Sequence, residues 1–70
     1  MEINIILSKH ADDKRILNGL TKEDIKNAIK FGSKIKQTEG YLSSYLYIKV
    51  AYKKLKENVY FVKTVYVDRR

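Results

Sequence analysis

The 70-residue chain has no cysteine, no proline and no tryptophan, three glycines and one histidine. Without cysteine there is no disulfide framework and no thiolate metal site. A single histidine among eight scattered acids makes a metalloenzyme a poor reading, and no metal or other cofactor is expected. No apolar run approaches the roughly 18 residues that a membrane span needs, and Met1–Leu7 is too short and too lightly charged for a signal peptide. The resulting expectation is a cytoplasmic protein with no membrane partner. A chain of this length forms one domain, 1–70, and buries only about 60% of the surface its unfolded form exposes. Gly-rich phosphate loops, paired carboxylates and a serine-nucleophile pattern are missing as well.

What is abundant is positive charge. Fifteen Lys and Arg stand against eight Asp and Glu, giving a net charge of +7. Such a balance favours acidic partners: RNA, DNA, or an acidic protein that covers the basic surface.

Local signals order the chain as strand, two helices, then strands. Ile3, Ile5 and Leu7 alternate with Glu2, Asn4 and Ile6 as a short first strand. Ser8 has the chemistry of an N-cap, and Asp12 and Asp13 follow where a helix start favours acids. That helix, Lys9–Asn18, stops at Gly19. Thr21 caps a second helix with Asp24 at N3, and Leu20 and Ile25 have hydrophobic-staple spacing. Ile25, Ala28 and Ile29 make its apolar stripe, and Gly32 ends it. Ser33–Gln37 reads as a middle strand and Glu39–Gly40 as a turn.

Five of the six tyrosines fall in two later runs, Ser44–Tyr52 and Asn58–Val67, joined by a polar loop around Lys53–Glu57. In the first run Leu46, Ile48, Val50 and Tyr52 take one face, and Tyr45, Tyr47, Lys49 and Ala51 the other. In the second, Val59, Phe61, Val65 and Val67 form the core face with Lys63 in their midst. Lys63 either snorkels at a sheet edge or marks a bulge. The expected fold class is α+β: a short N-terminal strand, two helices, then a three-stranded antiparallel meander, with the helices on one face of the sheet.

Several residues have the chemistry to meet a polyanion. His10 is the one imidazole, a turn inside a helix start with Lys14 at i+4 on the same face. Lys22, Lys26 and Lys30 line one side of the second helix, with Lys34 just beyond. Tyr45, Tyr47 and Lys49 would form an outward ring-and-cation surface suited to nucleic acid, with Arg15 and the terminal Arg69 and Arg70 as further cations. A solvated lysine face, a structural histidine and strand-favouring tyrosines explain the same residues without a ligand.

Ser8-Lys9-His10-Ala11, Lys14, Asn18-Gly19-Leu20-Thr21, Ile25 and Ile29, Ala28-Ile29 followed by Gly32, and the final Val62-Lys63-Thr64-Val65-Tyr66 resemble short His-Ala domains of unknown function grouped with RelE-like toxins. The likeness spans about residues 5–67. It implies the fold shared by barnase, EndoU, colicin nucleases and RelE, and a metal-independent endoribonuclease or a derivative of one. An acidic antitoxin partner in a toxin–antitoxin pair is implied too. By that resemblance His10, Lys14, Thr64 and Tyr66 would be catalytic: His10 as acid or base, Lys14 on the phosphate, and the two hydroxyls orienting it. Lys14 stands where the group usually has arginine, and Asn18 where a second arginine is expected. The alternatives are a non-catalytic basic module for nucleic acid or an acidic protein, and a homodimer that uses its tyrosine strand as an edge.

Overall fold

A computed structural model describes residues 3–68 and shows an α+β fold with a five-stranded mixed sheet and two helices. The elements are β1 (Asn4–Leu7), α1 (Lys9–Leu17), α2 (Lys22–Phe31), β2 (Ser33–Gln37), β3 (Gly40–Tyr45), β4 (Ile48–Lys56) and β5 (Val59–Val67). In space the strands run β1-β5-β4-β3-β2. β2 to β5 form an antiparallel meander of neighbours, and β1 joins its far side parallel to β5. Among the described residues no helix is long and apolar enough to cross a membrane.

The helix boundaries follow from capping chemistry. The Ser8 hydroxyl accepts from the Ala11 amide, and Thr21 and Asp24 form a reciprocal capping box. Gly19 takes φ +70 just past α1, a left-handed conformation that suits glycine. Gly32 ends α2 for a different reason. Its φ is −77, but a side chain there would lie 2.5 Å from the Ala28 carbonyl oxygen and 2.6 Å from that of Ser44. Beside it the buried Ser43 hydroxyl donates to the Ala28 carbonyl at 2.7 Å, so a β3 side chain fastens the α2 backbone. Leu20, Ile25, Ala28 and Ile29 are buried with Ile48, Val50, Tyr52, Val62 and Val65 in one core. The helices are unequal: α2 buries three residues of its stripe, whereas α1 buries only Ala11 and leaves Ile16 and Leu17 exposed.

Three expectations require correction. The run Ser44–Tyr52 is not one strand, because a turn at Leu46–Tyr47 divides it between β3 and β4. The meander therefore has four strands rather than three. Leu46 carries the turn at φ 56 and is 77% exposed, so it leaves the core that Ile48, Val50 and Tyr52 form. A turn built on leucine and tyrosine, with no glycine, asparagine or aspartate, gives no compositional signal. Next, Lys53–Glu57 is not a loop. β4 runs on to Lys56, and the turn is Glu57–Asn58 with Asn58 at φ 61.

The third correction concerns β5. Tyr52 pairs with Val62 and Ala51 with Thr64, leaving Lys63 as an extra residue. This bulge resets the alternation, so Val62 and Val65 both enter the core while Lys63 and Thr64 together oppose Ala51. Phe61 moves to the opposite face, beside Lys53 and Ile6. The carbonyls at the bulge are taken by the start of α1: the Ser8 amide donates to Val62 at 3.1 Å and the Ser8 hydroxyl to Lys63 at 3.0 Å.

Within the core Tyr52 lies between Tyr41 and Tyr60, at ring-centroid distances of 5.8 and 5.4 Å. Burial, then the neighbouring Tyr60 and Tyr41 hydroxyls, push its phenol above the ordinary value of 10.0. The folded state thus holds that proton more tightly than the unfolded chain. The associated stability is intact below about pH 10 and is lost as pH rises through the higher folded value. Urea unfolding will show stability falling above that pH, and Tyr52→Phe will remove part of the fall. At the glycines, Gly32→Ala will cost about 2 kcal/mol or more, since backbone atoms must move. Gly19→Ala, with open space around it, will cost only about 1 kcal/mol for its positive φ. Denaturant midpoints of the two variants check that order.

Candidate functional site

The strands carry seven lysines and no acid: Lys34 and Lys36 on β2, Lys49, Lys53, Lys54 and Lys56 on β4, and Lys63 on β5. The acids of the described chain sit elsewhere. Asp12, Asp13, Glu23 and Asp24 lie in the first half of each helix, Glu39 and Glu57 in turns, and Asp68 after β5. This segregation follows from local physics, because helix starts attract carboxylates. It leaves the sheet uniformly positive.

One face of the sheet packs on the helices. The other has no helix over it among the described residues, and the register fixes what it displays. One row across this open face is Tyr66, Lys49, Ser44 and Ser33, and the next is Thr64, Ala51, Leu42 and Ile35. A further row is Ile6, Phe61 and Lys53. Tyr66 is exposed and Phe61 half-buried, both on β5, which is flanked by β1 and β4. The Lys49 ammonium donates to the Ser44 hydroxyl at 3.0 Å, so it is held flat on this face beside Tyr66. Lys63, at the bulge, reaches over to the Glu39 carbonyl. Two rings about five residues, or roughly 15 Å, apart with lysines beside each make a shallow cationic platform rather than a pocket.

The residues singled out from the sequence are spread over more than one surface. Tyr45 does not face outward: it packs against the core, with its ring 6.2 Å from that of Phe31. Tyr47 is exposed, but in the β3–β4 turn rather than on a strand face. Lys49 alone of that trio lies on the open face. The tyrosine strands are also not edges, since β4 and β5 are flanked on both sides.

Lys22, Lys26 and Lys30 lie on α2, whose inward side is Ile25, Ala28 and Ile29. They belong to the opposite layer of the molecule from Lys49. Lys30 sits 5.5 Å over the Phe31 ring, and Lys34 donates to the Gly32 carbonyl at 3.0 Å. Arg15 is committed to structure. It donates twice to Asp12 Oδ1, at 3.0 and 2.8 Å, and once to the Leu20 carbonyl at 3.2 Å, tying α1 to the α1–α2 connection. Arg69 and Arg70 lie outside the described residues.

Of the four residues assigned catalysis by resemblance, His10 is exposed and Lys14 half-buried on α1, while Thr64 and Tyr66 share the open face of β5. The two ends of the sequence do meet, because Ser8 is hydrogen-bonded to Val62 and Lys63, one residue before Thr64. The first turn of α1 therefore abuts the middle of β5. An open groove near that helix is lined by Ile5, Leu7, Lys9, Asp12 and Lys22, and neither Thr64 nor Tyr66 lines it. Phe61 and Lys53 escape sequence reasoning as surface residues because an unbroken alternation puts Phe61 in the core and Lys53 in a loop. Lys63, a cation among apolar residues, is the sequence signal, and of its two readings the bulge is the one observed.

Comparison with protein-family models, curated proteins and solved structures gives no match.

Arg15→Met will lower stability by about 1 kcal/mol through loss of the Asp12 and Leu20 contacts. Thermal unfolding of the variant checks this.

Proposed function

We propose that this chain is a basic RNA-interacting protein that holds a single strand across the open face of its sheet. The observation that supports this most is that every charge on the strands is positive, with two rings displayed beside lysines on the uncovered face. Lysines neutralise phosphates and release counterions, whereas a ring offers a stacking surface to any base. Tyr66 beside Lys49 and Phe61 beside Lys53 supply both kinds of contact in adjacent positions. The lysines of α2 lie on the other layer and act at most as a long-range attractive field.

A catalytic form of this reading rests on the placement of α1. With Ser8 seated on Val62 and Lys63, His10 starts its helix next to the strand that carries Thr64 and Tyr66. Thr64 and Tyr66 face the open side while α1 packs on the covered side, so this form requires RNA that passes from the open face around the sheet to His10, which would serve as acid or base in attack by a ribose 2′-hydroxyl. Lys14 would supply charge to the phosphate. This is the metal-independent endoribonuclease of a toxin–antitoxin pair that the RelE-like resemblance implies.

Binding of a labelled single-stranded RNA will weaken with salt at a log–log slope of roughly −3, as about four phosphates require. Phe61→Leu and Tyr66→Leu will each lower affinity by about tenfold, near the low end of a lost base stack. Replacing Lys22, Lys26 and Lys30 with serine will cost less than the ring variants at moderate salt. Equal loss from both sets would place the RNA elsewhere. Cleavage of the same RNA in EDTA, abolished by His10→Ala with binding unchanged, identifies the catalytic form. Binding without cleavage identifies the non-catalytic one.

A further inference from the structure

β2 is the one strand of which all five residues are exposed. It lies at the end of the sheet, and its register with β3 puts Lys34 and Lys36 beside the inward-facing Ser43 and Tyr41. Both lysines are nevertheless exposed, because α2 packs over β3 and β4 and stops short of β2. On the other face Ile35, 59% exposed, ends the row formed by Leu42, Ala51 and Thr64. Among the described residues the strand is therefore open on both faces and along one edge, where alternate N–H and C=O groups have no strand neighbour.

From this we infer that the β2 edge accepts an acidic extended segment of another protein as an added sixth strand. Charge selects the occupant. A second copy of β2 would set lysine against lysine, which opposes self-pairing and keeps the edge from dimerising. A segment with carboxylates at alternate positions would place them beside Lys34 and Lys36, and its intervening apolar residues beside Ile35, extending the apolar row by one strand. Main-chain bonds along the edge supply affinity and the alternation supplies specificity. Five residues of β2 match a partner segment of about five to seven residues. This site is separate from the RNA platform, which uses β4 and β5.

The test uses the whole protein and a nine-residue peptide of alternating glutamate and valine, with a peptide of the same composition in two blocks as control. Backbone amide NMR should show exchange protection confined to β2 and its turn on adding the alternating peptide. Lys34→Glu with Lys36→Glu should weaken binding at least tenfold. Since both side chains are exposed, an unchanged far-ultraviolet spectrum is expected, and Lys34→Gln with Lys36→Gln gives a second reading if it is not. Equal binding of the block peptide, protection on the open face or α2 instead of β2, or no binding would each overturn the inference. So would a concentration-dependent homodimer whose protected amides are those of β2. RNA affinity that survives the lysine substitutions while peptide binding is lost separates this site from the proposed RNA surface.

Discussion

The extra residue at Lys63 is the constraint on which the rest of the arrangement depends. Without it, a strict alternation from Val62 would send Thr64 inward and Val65 to the uncovered side. With it, both valines reach the core, and Lys63, Thr64 and Tyr66 join Phe61 on the open face. A bulge frees backbone groups that need partners. Ser8 answers both at once, donating from its amide to Val62 and from its hydroxyl to Lys63 while accepting from Ala11 to cap α1. A single serine thereby joins the parallel β1–β5 pair, the helix start and the irregular part of β5. It also explains how a helix that buries only Ala11 is held in place.

The other half of the molecule is held by a different device. α2 approaches β3 so closely that only glycine fits at position 32, and Ser43 turns a would-be apolar contact into a buried hydrogen bond with the helix end. The sheet is thus gripped at β5 by α1 and at β3 by α2. Among the described residues no helix covers β2 beyond β3, so the same geometry that makes the core leaves a cationic edge strand and a cationic open face. The candidate surface and the fold share one cause: the described residues build a single helix layer, and the other side of the sheet carries no helix.

How much of this could be read from the residues depends on whether the signal was local. Ser8, Thr21 with Asp24, Gly19 and Gly32 mark both helices, because capping is settled within a few residues of sequence. The stripe Ile25, Ala28 and Ile29 and the strand Ser33–Gln37 are legible for the same reason. The β3–β4 turn is not, since Leu46 adopts a positive φ that its side chain disfavours. The faces of β5 are not either. Periodicity alone assigns Phe61 and Val65 to one side; Lys63 signals a bulge or a snorkelling side chain, and only pairing with β4 decides for the bulge. The candidate surface is therefore half legible: charge and the rings are visible in the sequence, but which of them share a face is a tertiary fact. His10 and Thr64 illustrate this: the resemblance groups them, whereas α1 packs on the covered side of β5 and Thr64 lies on its open face.

The face assignment of β5 is the claim on which the whole account turns. Methyl NOE spectroscopy on selectively labelled protein tests it directly. The account predicts that Val62 and Val65 methyl groups both show contacts to the core methyls of Val50 and Ile25. The Thr64 methyl should instead see Ala51 and Leu42 across the open face. Val65 seeing Leu42 while Thr64 sees the core would mean that no bulge exists at Lys63, and would contradict the account.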